Sequence, residues 1–458
     1  MPHTLNINFT EMVTSFLTTP TKSAVIKLVI TLIRQERVAI FKMRWKNMDE
    51  VVQALSDIVK MNTVNGAEKQ VADYIAALLA KHNIESKLVD YAPGRTSLVA
   101  EIGDGNGPVV GFDGHADVVA LGDASKWRVD ALSATIKDNL MIGRGTSDMK
   151  SGLMAGVWAM IHLQDQHIPL HGTLRLMATV GEEYGQYGAK QLAEAGYAKD
   201  LDTLIVGEPS GVAKQLLMQK QIQYMLQADQ ASAQKLSDAN QTGEQHFIEL
   251  AHKGSLTYTV HSNGVAAHSS MPEIGKNAIT PLMAFYQKEE AYFASIKNYR
   301  NPVLGPVTPV VTMVHGGEQI NTVPASADLS VKIRTIPELP NADMTVAIKE
   351  IIADLNAAGA DMTLDILSDL RPMHTMEDAK LVTVAREVGE SNLDQKLPLI
   401  GVPGGTDASS FLASNPDIDV VIFGPGNITA HQVNEYVDLD MYHRFITIYE
   451  QMVTKLLN

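Results

Sequence analysis

The chain has 458 residues, of which 45% are hydrophobic and 19% are charged, so it has the composition of a globular protein long enough for two or more domains. Its formal net charge of -15 argues against nucleic acid as a partner. It contains no cysteine, which excludes disulfides, thiolate metal sites and a cysteine nucleophile, and suits a cytoplasmic location.

The N-terminal 47 residues differ in composition from the rest. They contain seven Lys or Arg and two Glu, a net charge of +5, so the remaining chain carries -20 (-15 minus +5). We expect Met48 to open the functional domain and 1–47 to be an atypical basic extension; a genuine surface extension is the alternative. The most apolar stretch there, 24–33, is shorter than the roughly 20 residues of a membrane span, and no signal peptide is expected.

From residue 65 to residue 213, predicted strands and helices alternate. Asn65 and Glu68 predict a capping box for a helix that runs to His82. SLVAEIG and GPVVGFDGH predict strands, MKSGLMAGVWAMIHLQ a helix, and GTLRLMATVGEE and LDTLIVGEP two strands that end in glutamates. This order predicts an α/β domain with a mainly parallel sheet, in which ligands bind beyond the carboxyl ends of the strands.

The second half of the chain predicts an insertion. Residues 214–250 are polar and rich in Gln and Ala, which favours a linker or a peripheral helical insertion. From residue 251 the predicted order β-α-β-β-α-β is that of a ferredoxin-like sandwich. The α/β pattern resumes after Pro372. We therefore predict a discontinuous metal-binding domain, 48–213 and 373–458, with an inserted lid domain at 214–372.

Imidazoles and carboxylates occur in five short motifs, GHAD, GRGTSDMKSG, GEE, GEP and AHQ. They are His115, Asp148, Glu182, Glu183, Glu208 and His431. Zinc binds such groups when no thiolate is available. Five ligands are too many for one ion, so the set predicts two ions that share a bridging carboxylate, with one glutamate left as a base.

Each motif also has a structural interpretation. His115 with Asp117 fits a metal ligand oriented by a carboxylate, but also a buried structural histidine. Asp148 could bridge two ions or cap the helix that follows it. The adjacent Glu182 and Glu183 would repel each other without a cation nearby. The joint occurrence of the motifs favours a dinuclear hydrolase.

From residue 48 to the C-terminus, the chain resembles the aminoacylase, acetylornithine deacetylase and succinyl-diaminopimelate desuccinylase family of dizinc amidohydrolases. The resemblance implies a phosphorylase/hydrolase-like metal domain and a ferredoxin-like α+β lid that forms a homodimer interface. It implies that His115 and Glu208 bind one ion. It implies for the rest of the centre Glu183 and His431 on the second ion, Asp148 as the bridge, Glu182 as the general base, Asp117 as the residue that orients His115, and a cis peptide bond between Asp148 and Met149.

The lid stretch AAHSSMPEIGKNAI is similar to a family motif that implies a role for His268 across the dimer, in stabilising the oxyanion. The resemblance also implies that Asn321, Arg334, Gly405 and Thr406 bind the substrate. A surface loop histidine and a surface ion pair of Arg334 are the alternative interpretations.

The expected reaction is metal-dependent hydrolysis of the amide bond of a small N-acyl amino acid, with zinc or cobalt. The first expectation is N-succinyl-LL-2,6-diaminopimelate, converted to diaminopimelate and succinate in lysine biosynthesis. The run GGTDASSF lacks the arginine that the best-known desuccinylases carry shortly after GGT, so acetylornithine deacetylase and dipeptidase or carboxypeptidase activities stay open. A catalytically dead binding relative and a two-metal phosphoesterase are the alternatives from other classes.

Overall fold

The computed structural model describes residues 50–226, 229–240 and 242–458; the predicted basic extension at 1–47 and the proposed start at Met48 lie outside them. The strands are β1 Ser86–Ala92, β2 Arg95–Gly103, β3 Val109–His115, β4 Thr135–Lys137, β5 Leu140–Ile142, β6 Thr173–Thr179, β7 Thr203–Ala213, β8 Glu244–His246, β9 Ile248–His252, β10 Gly254–Asn263, β11 Arg300–Asn301, β12 Gly305–Pro306, β13 Thr308–Gly316, β14 Ser326–Thr335, β15 Met362–Leu370, β16 Met373–His374, β17 Leu399–Val402, β18 Asp419–Asn427 and β19 Tyr436–Asp438. The helices with assigned bounds are α1 Lys69–Lys81, α2 Lys150–Asp165, α3 Tyr187–Glu194, α4 Lys220–Met225, α5 Gln230–Ala239, α6 Ile279–Ile296, α7 Asn341–Ala357, α8 Lys380–Leu393, α9 Ala408–Ser414 and α10 Leu439–Leu457.

A large sheet forms the centre of the described residues. Its strand order is β1-β2-β6-β3-β7-β18-β9-β16, with β17 paired to β9 and β8 paired to β7. The central strands β6, β3, β7 and β18 are parallel, and the strands outside them are mostly antiparallel. Every residue of β3 is buried, as expected for a parallel strand covered on both faces. The predicted α/β fold with a mainly parallel central sheet is confirmed.

Helix α2 packs against this sheet through small residues. A Cβ added at Gly152 would lie 1.8 Å from the carbonyl oxygen of Gly207 in β7. Only glycine therefore lets the helix approach the strand this closely. The helix begins two residues after Asp148 and the strand carries Glu208, so this contact sets the relative positions of two candidate ligands.

The lid is a four-stranded antiparallel sheet in the order β13-β14-β10-β15, with the helices α6 and α7 in its connections. In chain order this is the strand order 2-3-1-4 of a ferredoxin-like sandwich, so the predicted lid fold is confirmed. Two chain connections join the lid to the large sheet, β9 to β10 and β15 to β16. They run side by side, because a Cβ at Gly254 would lie 2.4 Å from Leu370 O and 2.6 Å from Pro372 N.

Three local predictions differ from the structure. Helix α1 begins at Lys69, and Glu68 makes no capping bond because its carboxylate accepts hydrogen bonds from Arg95. Strand β7 does not end at Glu208 but runs to Ala213, since its last residues pair with β8. The segment 214–250 contains more than a linker or helices, because β8 and the start of β9 belong to the large sheet. The domain boundaries themselves stay a prediction.

No helix in the described ranges is long and apolar enough to cross a membrane.

Candidate metal centre and cavity

The carboxyl ends of the parallel strands bring two groups of candidate ligands together. One group is His115, Asp148 and Glu208, and the other is Asp148, Glu183 and His431; within each group, the nearest ligand atoms all lie within 4.8 Å of one another. Asp148 belongs to both groups. All five residues that the sequence predicts as metal ligands thus meet at one place.

The distances within the first group are short. The Nε2 atom of His115 lies 3.1 Å from Asp148 Oδ1 and 3.3 Å from Glu208 Oε1. The side chain of His115 is 1% exposed, because it ends the buried strand β3. Its second nitrogen, Nδ1, is 3.0 Å from the backbone oxygen of Asp117 and 3.5 Å from the Asp117 carboxylate. Nε2 therefore faces the carboxylates of Asp148 and Glu208, while Nδ1 contacts Asp117.

The second group has the same arrangement on the other side of Asp148. The Nε2 atom of His431 lies 3.1 Å from Asp148 Oδ2 and 3.0 Å from Glu183 Oε2. His431 is half exposed and stands in a turn after β18. The two oxygens of Asp148 thus face two different imidazoles. Helix α2 takes Met149 as its N-cap, so the alternative interpretation of Asp148 as a capping residue is wrong.

Asp117 also fixes the two neighbouring glutamates. It is fully buried, and its oxygens accept hydrogen bonds from the backbone N–H groups of Glu182, at 3.1 Å, and Glu183, at 3.2 Å. Asp117 therefore contacts the candidate ligand His115 and also holds the turn that carries Glu182. The peptide bond between Asp148 and Met149 is cis, as the resemblance implies.

In this centre, the buried carboxylates outnumber the imidazoles that could carry a positive charge. Burial and the neighbouring Asp148 raise the pKa of Glu208 to about 8, and burial raises the pKa values of Glu182 and Glu183 above their usual range. Hydrogen bonds to Asp148 and Glu183 raise the pKa of His431 to about 10. Buried carboxylates this close together are costly unless cations neutralise them.

The donor set fits two divalent cations. Nitrogen and oxygen ligands about 2.0–2.2 Å from a tetrahedral zinc ion lie roughly 3.3–3.6 Å from each other. The observed separations of 3.0–3.3 Å need only a small widening to reach that spacing. Two imidazoles and three carboxylates, one of them shared, are thus suitably placed to hold a pair of ions.

A buried ion pair supports the loop that carries Asp148. Glu435 Oε1 accepts hydrogen bonds from the backbone N–H groups of Gly145, Ser147 and Asp148 at 2.8–3.1 Å. Its Oε2 lies 2.5 Å from Arg144 Nη1, and Arg144 also donates to the backbone oxygen of His431 at 3.3 Å. Sequence reasoning missed this pair. Its only signal is the presence of two charged residues close to predicted ligand motifs.

A cavity of about 790 Å³ opens beside the ligands. Of the predicted residues, Asp148, Glu182, Glu183, Glu208, His431, Arg334, Gly405 and Thr406 line it. His268 and Asn321 do not line it; they lie together on the exposed surface of the lid, where Ser269 N donates to Asn321 O and His268 pairs with Thr322.

Two lysines in the cavity wall were not predicted. Lys253 follows β9, and Lys332 stands two residues before Arg334 on β14. The period of two residues along a strand would have placed Lys332 on the same face as Arg334.

Comparison with known proteins adds a family and a fold. The model of Peptidase family M20/M25/M40 matches residues 111–455. A relative named probable succinyl-diaminopimelate desuccinylase, from Staphylococcus aureus strain N315, is 35% identical over 428 residues, which cover 88% of this chain and 96% of the relative.

Solved structures show the same fold. An M20 family metallo-carboxypeptidase from Sulfolobus solfataricus superposes with a TM-score of 0.67 at 18% identity, covering 88% of this chain and 98% of that one. A dinuclear metal binding peptidase from the M20 family of Bacillus subtilis superposes with a TM-score of 0.62 at 14% identity, covering 90% of this chain and 98% of that one.

Proposed function

Because the chain belongs to peptidase family M20/M25/M40, and is thus a metallohydrolase, we propose that it hydrolyses the amide bond of a small N-acyl amino acid. The observation that carries this proposal is the pair of ligand groups that share Asp148 beside a cavity. His115 and Glu208 would hold one ion, and Glu183 and His431 the other. Zinc is the proposed metal and cobalt the alternative. Bound there, two divalent ions supply Lewis-acid chemistry, which polarises an amide carbonyl and makes water more acidic.

Glu182 is the proposed general base. Its carboxyl group lines the cavity, and its backbone is held by Asp117. Burial raises its pKa, so its carboxylate can take a proton from the attacking water and hold it near neutral pH. The same oxygen then delivers the proton to the leaving amine. Asp117 is the proposed orienting residue for His115.

The proposed first substrate is N-succinyl-LL-2,6-diaminopimelate, which gives diaminopimelate and succinate in lysine biosynthesis. The names of relatives at 35% identity support it. N-acetylornithine and dipeptides are the alternatives within the family. Arg334 is half-buried in the cavity wall, where its planar guanidinium could hold a substrate carboxylate by two parallel hydrogen bonds. Gly405 and Thr406 are proposed to contact the backbone of the acyl amino acid.

A homodimer through the lid is the proposed assembly. The edge strand β13 exposes Val310, Met313 and Val314 at 51–57%, which favours association of its edge with another strand. His268 is exposed on the same lid, and its proposed role is to stabilise the oxyanion in the site of the partner. Asn321 is proposed to contact substrate there as well. A cytoplasmic location stays a prediction.

The test of the proposed reaction is a hydrolysis panel on zinc-loaded protein, with N-succinyl-diaminopimelate, N-acetylornithine and simple dipeptides. Glu182→Ala should retain zinc and lose turnover. Turnover that survives in this variant would show that the base is assigned wrongly. If the wild-type protein binds two zinc ions but hydrolyses none of the amides, a binding role replaces the proposed reaction.

The role of His268 has a separate test. Neither His268→Ala nor Glu182→Ala alone should be active. If His268 acts across a dimer, reassembled mixed dimers contain one intact site, and an equal mixture should recover about a quarter of the wild-type activity. Failure to recover activity, while mixed dimers form, would place the action of His268 within its own chain or deny it.

A further inference from the structure

Two positions on the lid strand β14 give the cavity wall positive charge. Lys332 and Arg334 stand two residues apart on β14, so their side chains leave the same face of the lid sheet. Both line the cavity, as does Lys253 at the start of the lid. Along a strand, residues two apart are about 7 Å from each other. The cavity wall therefore carries cationic residues at two strand positions whose Cα atoms are separated by about that distance.

Strand register assigns different neighbours to the two positions. Arg334 is opposite Ser255 on β10, which is opposite Leu370 on β15. Lys332 is opposite Thr257 on β10, which is opposite Ser368 on β15, and all three line the cavity. The row of Lys332, Thr257 and Ser368 thus combines one ammonium group with two hydroxyl groups. Ammonium and hydroxyl groups are the donors that surround a bound carboxylate.

Within the part of the chain that the structure describes, these cations have no carboxylate partner. Among the described residues, none of Lys253, Lys332 and Arg334 takes part in an ion pair, although the chain is strongly acidic. Burial, and then the charge of Arg334, lowers the pKa values of both lysines. Lys253 is 8% exposed and donates hydrogen bonds to Pro306 O and Thr308 Oγ1. Cations close to one another without a counter-charge repel each other, so an anion placed between them would be stabilised.

We propose that Lys332, Thr257 and Ser368 form a second anion subsite beside Arg334, so that the preferred substrates carry two negative groups about 7 Å apart. The inference rests on the proposed amide hydrolysis and narrows its substrate class to dianionic acyl amino acids. A monoanionic substrate would fill the subsite of Arg334 and leave Lys332 to solvent. An exposed lysine without a ligand is the alternative explanation, and it predicts no preference for a second charge.

Matched substrates test the proposal. One pair is N-succinyl-L-alanine and N-succinamoyl-L-alanine, which place or remove the second charge on the acyl side. The other is N-acetyl-L-2-aminoadipate and its side-chain amide, which do so on the amino acid side. A charge-assisted hydrogen bond should make kcat/KM about tenfold to hundredfold higher for the dianion of at least one pair. The zinc-loaded wild-type protein should show this preference.

Variants of one residue then assign the preference. Lys332→Met should bring the ratio of the kcat/KM values of the dianion and the monoanion close to one, chiefly by lowering the value for the dianion. Lys332→Arg should keep most of the preference. Lys349→Met is the matched control, because Lys349 is an exposed lysine on α7 that does not line the cavity. A preference that is absent in the wild-type protein, or that persists in Lys332→Met, would overturn the proposal.

A binding measurement separates this proposal from the reaction itself. Adipate carries two carboxylates at a similar spacing, and hexanoate carries one at the same chain length. Calorimetry should show at least tenfold tighter binding of adipate than of hexanoate to wild type and Lys349→Met, and no such difference for Lys332→Met. This result would stand even if none of the tested amides were hydrolysed. Equal binding of the two acids to the wild-type protein would refute the second subsite.

Discussion

Glu435→Ala is the perturbation for which the structure gives the clearest magnitude. The carboxylate is fully buried and pairs with Arg144, which is 2% exposed. Removing one partner of a buried ion pair typically costs about 3–5 kcal/mol, because the other charge stays buried without its partner. The same carboxylate accepts three backbone N–H groups from the loop that ends at Asp148. We therefore expect a loss of about 3–5 kcal/mol in the free energy of unfolding of the metal-free protein.

The same substitution should weaken metal binding. Residues that hydrogen-bond to a metal ligand typically contribute about 10–100-fold to metal affinity, and Glu435 fixes the backbone of Asp148, the candidate ligand common to both groups. Urea unfolding would measure stability, and competition with a chromophoric chelator would measure zinc affinity. Glu289→Ala is the matched control, because Glu289 is fully buried in the lid. It should lower stability and leave zinc affinity unchanged.

A double variant separates the contribution of the ion pair to the free energy of unfolding from the contribution of the backbone hydrogen bonds. Arg144→Met together with Glu435→Met removes both charges, so it should recover the part of the loss that comes from an unpaired buried charge, but not the part that comes from the three backbone N–H groups left without their acceptor. A loss of under about 1 kcal/mol in Glu435→Ala, with unchanged zinc affinity, would refute the reasoning.

Three further predictions address base, charge and packing. Glu182→Gln should lower kcat by about 10²–10⁴ at unchanged zinc content; a smaller effect in steady-state kinetics would contradict its role as base. Burial raises the pKa of Glu289 from 4.5 to about 7. Its stabilising contribution is complete below pH 4.5 and is lost as the pH rises through 7, so Glu289→Gln should gain about 2–3 kcal/mol relative to wild type between pH 5 and pH 8 in urea unfolding. A pH-independent difference would contradict the assignment. Gly152→Ala should cost about 1–3 kcal/mol because its Cβ meets Gly207 O, whereas Gly243→Ala, which meets no atom within 4 Å, should be nearly neutral by the same assay.

Most of the fold could be predicted from local sequence patterns, because each helix or strand has its own spacing of apolar residues and its own boundary signals. The apolar run of β3 and the helical spacing of the apolar residues in α2 were sufficient to predict both elements. The candidate metal ligands were predictable because each follows a strand or precedes a helix near glycine. Their meeting in space follows from the parallel order of the central strands.

What the sequence did not reveal depends on partners that are distant along the chain. Strand β8 has a polar sequence, EQH, and is a strand because β7 pairs with it. Glu68 was expected to cap a helix, but Arg95 takes its carboxylate. The pair of Arg144 and Glu435 joins positions 291 residues apart, a distance over which no local pattern operates.

The two connections that meet at Gly254 divide the residues that could bind metal from the lid residues that could select the substrate. All five candidate ligands belong to the large sheet and its loops, whereas Lys332 and Arg334 belong to the lid. A rotation of the lid about these two connections would change the width of the cavity and leave the spacing of the candidate ligands unchanged. Affinity for metal and selection among substrates could then vary independently, so that changes confined to the lid sheet would give a new specificity without rebuilding the catalytic centre.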